Sequence, residues 1–398
     1  MFHWPLIPTA LLAAAAWLVA PGHAPAAARV APAHAADVRV PLLPAGPIWR
    51  GRSPLPSPAL TAPATPAPPE PRATPALPKA TPLLPVSVPQ TPMPTPEAWP
   101  EGVSLFTRDG RPAGLSDLVA ASRLADVVFV GEYHDDPGAH AVERALQAAL
   151  STGAGGAAGR PLALSLEMFE TDVQPVLDEY LAGLVREKDF LAAARPWNNY
   201  SSDYRPLLEW ARQNRQAVVA ANAPHRYVIR VGRHGPDGLA ALSAPARAWL
   251  PALPWPEPSV AYADRFAAFA REALGGAPAS LVAPPLSATS SSSGNHGTSQ
   301  TAQRMFEAQW LRDVTMAHSI ARHLEGAPGA LVLHVTGLFH SQSAQGTVEA
   351  LRHYRPGVRA MTLAVVRRAG SAEFLARDMR DLGDFVAVSR LAPVRPRP

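Results

Sequence analysis

Asp126-Val127-Val128-Phe129-Val130-Gly131-Glu132-Tyr133-His134 is the stretch that decides the fold. Four consecutive apolar residues are too few for a helix and leave no polar face, so they read as a strand buried on both sides. Gly131 lets the backbone turn where strand gives way to loop, and a helix-like stretch follows over residues 139–150. The scheme then recurs. Leu162-Ala163-Leu164-Ser165-Leu166 precedes a helical pattern over residues 173–184, Ala217-Val218-Val219-Ala220 leads into Asn222-Ala223-Pro224, and Leu331-Val332-Leu333-His334-Val335 leads into Gly337. Residues 357–366 and 385–391 supply further strands. Apolar strands alternating with helices predict an α/β fold, a largely parallel sheet with helices on both faces.

Between residues 226 and 325 no strand is expected, and the span reads as a helical insert. Residues 273–303 contain no Asp, Glu, Lys or Arg and include Ser290 to Ser293. Such a stretch is expected to be a disordered loop with no chemistry assigned to it.

Upstream of the folded region, 25 of the 46 prolines fall in residues 1–100. Residues 37–100 are Pro/Ala/Thr-rich and read as a semi-extended, disordered tether, because they cannot bury enough apolar surface to fold. Residues 6–20 form an uncharged, mostly apolar run followed by Ala-x-Ala options between Ala24 and Ala36. That pattern predicts a cleaved signal peptide over 1–36, export to a periplasmic or cell-surface location, and no transmembrane span in the mature chain. The remaining domain, residues 101–398, is long enough for one large core.

Composition narrows the function classes. The chain has no cysteine, which excludes disulfides, thiolate metal sites, a Cys nucleophile and a lipid-anchor cysteine. Its net charge is +4, and residues 1–100, with six basic and three acidic side chains, hold +3 of it. The domain is left with +1, no electrostatic footprint for nucleic acid.

In parallel α/β sheets ligands collect at the carboxyl ends of the strands. The residues expected there are Glu132, His134, Asp135 and Asp136 after the first strand, Glu167 after the second, Asn222 after the third and His340 after the fourth. Two strands end in Gly-x-x-His and two deliver a glutamate. A single such residue is commonly the N-cap of the next helix. Glu132, His134, Glu167, Asn222 and His340 together, from four strands, are harder to explain as caps, and carboxylate plus imidazole is what a divalent metal or a general acid/base pair needs. His334, inside a strand, reads as a core residue.

The helical pattern over 303–325 adds Asp313. At about 100° per residue, Phe306, Trp310, Ala317, Ile320 and Leu324 form one apolar stripe, with Asp313 inside it and Gln309 at its edge. A carboxylate facing a core is costly unless paired or bound. The alternatives are a buried Asp–Arg pair and a place in the site.

Residues 124–140, Glu167-Met168-Phe169 with Gln174, Asn222-Ala223-Pro224, the Gln309/Asp313/Met316 helix and Gly337-x-x-His340 together make the chain resemble the ChaN-like haem-binding uptake family of the Tiki superfamily, over roughly residues 102–366. The resemblance implies the α/β fold reached above and a surface-anchored or periplasmic protein. It also implies a homodimer that binds haem between protomers with a tyrosine on the iron, and an outer-membrane haem receptor as partner. More distant members include metal-dependent peptidases whose site uses Gly-x-x-His and glutamates.

Two readings of function follow. Haem binding needs an axial ligand, a greasy surface and a cation for the propionates. Tyr200 and Tyr204, in the segment from Trp197 to Arg205, and Tyr133 are the candidate ligands, Trp197 the packing surface, and Arg195 or Arg205 the cation. The alternative packs Tyr204 under the sheet. The second function is a metal-dependent hydrolase of peptidase or esterase type. There Glu132, His134, Glu167 and His340 would hold a divalent ion with Asp313 as general base.

Overall fold

The computed structural model describes residues 99–151, 160–273 and 296–391. The expected signal peptide and nearly all of the tether lie outside them.

The described chain forms eight strands in one sheet. They are β1 (Val103–Thr107), β2 (Pro112–Ala113), β3 (Val127–Glu132), β4 (Leu162–Glu170), β5 (Ala217–Asn222), β6 (Leu331–Gly337), β7 (Ala360–Ala369) and β8 (Phe385–Leu391). Their order is β2-β1-β8-β7-β3-β6-β4-β5. β3 to β8 run parallel to one another, β1 pairs antiparallel with β8, and β2 pairs antiparallel with β1. That antiparallel edge is an addition to the expected parallel sheet.

The helices are α1 (Leu115–Ser122), α2 (Pro137–Ser151), α3 (Gln174–Leu181), α4 (Glu187–Ala194), α5 (Arg205–Gln213), α6 (His225–His234), α7 (Ala244–Arg247), α8 (Val260–Ala273), α9 (His296–Gly326), α10 (Thr347–Tyr354) and α11 (Ala376–Met379). The strands lack polar alternation because successive side chains feed two different cores. Val128, Val130, Leu164, Leu166, Leu333 and Val335 pack with α2 to α5 on one face. Val127, Phe129, Ala163 and Val332 pack with α6, α8, α9 and α10 on the other.

Residues 296–303, expected within the disordered loop, instead form the first turns of α9. Ala302 there is fully buried. An uncharged stretch can still be helical when its small apolar residues meet a core. Residues 274–295 lie outside the described part.

The connections decide where the site falls. After β3 the chain passes into α2 on one face, and after β6, the neighbour of β3, it passes into α10 on the opposite face. Two adjacent parallel strands whose following helices depart to opposite faces leave a crevice at their carboxyl ends.

Candidate functional site at the carboxyl edge of the sheet

Glu132 is the last residue of β3 and is buried, with His134 two residues on and half-buried. His134 Nδ1 lies 2.9 Å from Glu132 Oε1, and the Tyr204 hydroxyl donates to the same oxygen. Glu167 sits within β4 rather than after it, because the strand continues to Glu170. Its Oε2 accepts from the Gly337 backbone N–H and the Thr336 hydroxyl, both at 2.7 Å. Its Oε1 lies 3.5 Å from His340 Nε2. Gly337 is there for space: a Cβ would stand 3.1 Å from His134 Nε2 and 3.6 Å from Glu167 Oε2.

His340 completes the chain of contacts through Asp313 in the middle of α9. His340 Nδ1 lies 2.7 Å from Asp313 Oδ1, which also accepts from Thr347 at 2.8 Å, while Tyr262 of α8 donates to Asp313 Oδ2. Gln309, one turn earlier, places its amide 3.2 Å from His340 Nε2. The turn is closed by Gly346, whose φ of +61° suits glycine and whose Cβ would meet the His340 carbonyl at 2.7 Å and Asp313 Oδ1 at 2.9 Å. Asp313 is paired with an imidazole rather than an arginine. Both of its oxygens are buried and hydrogen-bonded, Oδ1 to His340 and Thr347 and Oδ2 to Tyr262.

On the α2 side the network runs deeper. His140 Nδ1 lies 3.2 Å from Glu132 Oε2 and 3.1 Å from Glu143 Oε2, and its Nε2 lies 3.1 Å from the His134 carbonyl. Among the described residues, the grouping whose possible metal-ligand atoms all fall within 4.8 Å of one another is Glu132, His140 and Glu143, not the expected quartet. Sequence reasoning missed His140 and Glu143 as site residues. The signal was weak, since Glu143 lies at the edge of the stripe formed by Ala139, Val142 and Leu146, with His140 further round the helix.

Electrostatics tie the groups together. Burial pushes Glu167 upward, but the charges of His340 and His134 and the bonds from Gly337 and Thr336 win, holding it at about 2. Burial works against the charged form of His134 and of His340. It is overcome at His134 by the Glu132 bond and the Glu167 charge, and at His340 by Asp313 and Glu167, so both are raised. His140 is raised to about 10 against the pull of burial, mainly by Glu143. Glu143 is raised to about 8 by burial and by the Glu132 charge.

The aromatic candidates separate. Tyr200 and Tyr204 are 2% and 1% exposed. They lie in a π-helical turn leading into α5. Tyr204 bonds Glu132 and Tyr200 donates to Glu187 at 3.3 Å, and burial first of all pushes both phenols far upward. Tyr133 is half-buried, with the Arg367 guanidinium 4.9 Å from its ring centroid, and among the described residues no hydrogen bond occupies its hydroxyl. Trp197 stands edge-on to His134 at 4.4 Å and to Tyr204 at 5.5 Å. Arg205 is paired with Glu187 at 2.6 Å, and Arg195 with Glu170 and Asp172, so neither expected propionate cation is uncommitted.

A Glu/His cluster at the carboxyl edge of a parallel sheet, supported by an aspartate from a long helix, stands where α/β sheets commonly take ligands. The profile of the family described as haem-binding uptake, Tiki superfamily, ChaN matches residues 118–351. The chain belongs to that family. Its fold is similar to that of ChaN of Campylobacter jejuni, solved for its cofacial haem binding, at 14% identity and a TM-score of 0.52 over 72% of this chain and 96% of that one. Weaker likenesses are to a Bacillus cereus protein (15% identity, TM-score 0.33, 64% of this chain and 70% of that one) and to an erythromycin esterase mutant, EreC, in its open conformation (13%, 0.35, 64% and 72%). No curated protein matches the chain. Among the described residues no helix is long and apolar enough to cross a membrane.

Proposed function

We propose that the protein is exported and binds haem at the carboxyl edge of its sheet through the Tyr133 hydroxyl, at an interface between two copies, in the service of haem or iron uptake. The observation that carries this reading is the state of the tyrosines. Tyr133 keeps an uncommitted hydroxyl in the residue that follows β3, its ring packed against Leu338, Ala364 and Val366, whereas Tyr200 and Tyr204 are buried and bonded to carboxylates. A phenolate oxygen suits ferric haem iron, and a half-buried ring among Phe106, Phe374 and Leu338 offers a porphyrin an apolar and aromatic surface. Burial raises the Tyr133 phenol, and the Arg367 charge opposes that rise only in part.

Family membership supports the haem assignment. The homodimer and delivery from an outer-membrane haem receptor are further parts of the proposal. Titrating the full-length chain with hemin should give a saturable absorption change with a high-spin ferric tyrosinate signature and a doubling of mass on gel filtration. An unchanged spectrum of free hemin overturns the reading. Export is tested by mass spectrometry of the mature protein. Its N-terminus should fall between Ala24 and Ala36, and an intact Met1 contradicts it.

The His340–Asp313 pair beside Glu167 favours a second reading, hydrolysis of an amide or ester by a divalent ion held among Glu132, His134, Glu167 and His340. Metal analysis of purified protein, before and after His340→Ala, decides it: a bound stoichiometric ion lost in the variant supports hydrolysis, and no bound ion in the parent rejects it.

A further inference from the structure

We infer that Arg312 is a carboxylate receptor at the edge of this site and that it takes a propionate of the porphyrin; the inference rests on the haem reading and deepens it. Arg312 belongs to α9, immediately before Asp313 and one turn after Gln309. Its NH1 donates to Asn222 Oδ1 at 3.3 Å and its NH2 lies 3.2 Å from His225 Nδ1. Asn222 closes β5, so the guanidinium stands at the carboxyl edge of the sheet.

The other arginines near the edge are committed. Arg195 and Arg226 pair with Asp172, Arg205 with Glu187, and Arg367 with Asp135. Arg312 differs from all four. Among the described residues no carboxylate reaches it at ion-pair distance, and both of its partners are neutral acceptors. His225 is held neutral by its burial and by the Arg312 charge itself.

A guanidinium carries five N–H donors in a fixed fork that matches a carboxylate in bidentate fashion. Here it is half-buried, so it has lost water without gaining a counter-charge. Burial even lowers its proton affinity against the pull of Glu167, Glu170 and Asp313, which act from beyond contact. An arriving carboxylate would relieve that cost.

The test uses the full-length protein and metal-free protoporphyrin IX, whose binding involves no iron ligand, against its dimethyl ester, in which both propionates are blocked. Fluorescence titration should show the diacid bound about tenfold more tightly than the ester. Arg312→Gln should abolish that preference and Arg312→Lys should keep part of it, with far-ultraviolet circular dichroism confirming the fold of each variant. Equal affinity for diacid and ester, no binding of either, or a preference that survives in folded R312Q would overturn the inference. The two readings fail separately. A lost preference in R312Q without a tyrosinate spectrum for hemin removes the iron ligand alone, and a tyrosinate spectrum with an intact preference in R312Q removes the propionate receptor alone.

Discussion

His340 Nδ1 lies 2.7 Å from Asp313 Oδ1, and that contact joins the turn after β6 to the middle of α9. Both side chains are buried, and the remaining oxygen of Asp313 is held by Tyr262. Removing one partner strands the other in the interior, at a cost of about 3–5 kcal/mol. Asp313→Ala and His340→Ala should each destabilise the protein strongly. The double variant should fall short of the sum by about 1–3 kcal/mol. Urea unfolding of the four proteins checks this, and additive losses would mean that the pair is not coupled.

The cluster around His140 predicts an asymmetry between two glutamates. Glu143 is raised to about 8, so the folded protein keeps a proton that the unfolded chain releases above about 4.5. Its contribution to stability is present below that unfolded value and is lost as pH rises through 8. Glu143→Gln imitates the protonated form. It should lie close to the parent below about pH 4.5, where both are neutral, and be more stable than the parent from pH 7 to pH 9. Glu132 is held below its usual range, against the effect of burial, by His134 and His140, and it also accepts from Tyr204. Glu132→Gln should therefore cost about 2 kcal/mol or more at pH 7. Equal effects of the two substitutions on chemical denaturation would contradict this assignment.

Acid should act through His334. It is buried in β6 with Nδ1 2.9 Å from the Ser165 hydroxyl, and Nε2 has no partner. Burial, joined by the His340 charge, lowers its pKa to about 3 despite the pull of Glu167 and the bonding at Ser165. A histidine depressed in the fold contributes stability above its unfolded value near 6.5 that is lost as pH falls toward 3, at about 1.4 kcal/mol per pH unit. Replacing His334 and Ser165 together by Val and Ala should flatten the acid limb of the stability curve. A limb as steep as the parent's would show that other groups drive acid unfolding.

Much of the architecture was legible because each buried strand announces itself as an unbroken apolar run, as in Val127 to Val130 or Leu331 to Leu333. The strand ends named Glu132, His134, Glu167 and His340, and the stripe on α9 singled out Asp313. What stayed hidden depends on tertiary contact. The antiparallel β1–β2 edge is too short and too mixed to stand out. Arg312 looks like any helix arginine until the surrounding arginines prove to be paired. Tyr262 acquires its role only when α8 packs on α9. Tyr200 and Tyr204 read as loop residues before the third strand, yet a π-helical turn carries both rings into the core.

The most direct measurement compares hemin spectra of the parent, Tyr133→Phe and Tyr200→Phe. If Tyr133 ligates the iron, the first substitution abolishes the tyrosinate signature and lowers hemin affinity about tenfold or more, while Tyr200→Phe keeps both. An unaltered signature in Tyr133→Phe, or its loss in Tyr200→Phe alone, would contradict the assignment.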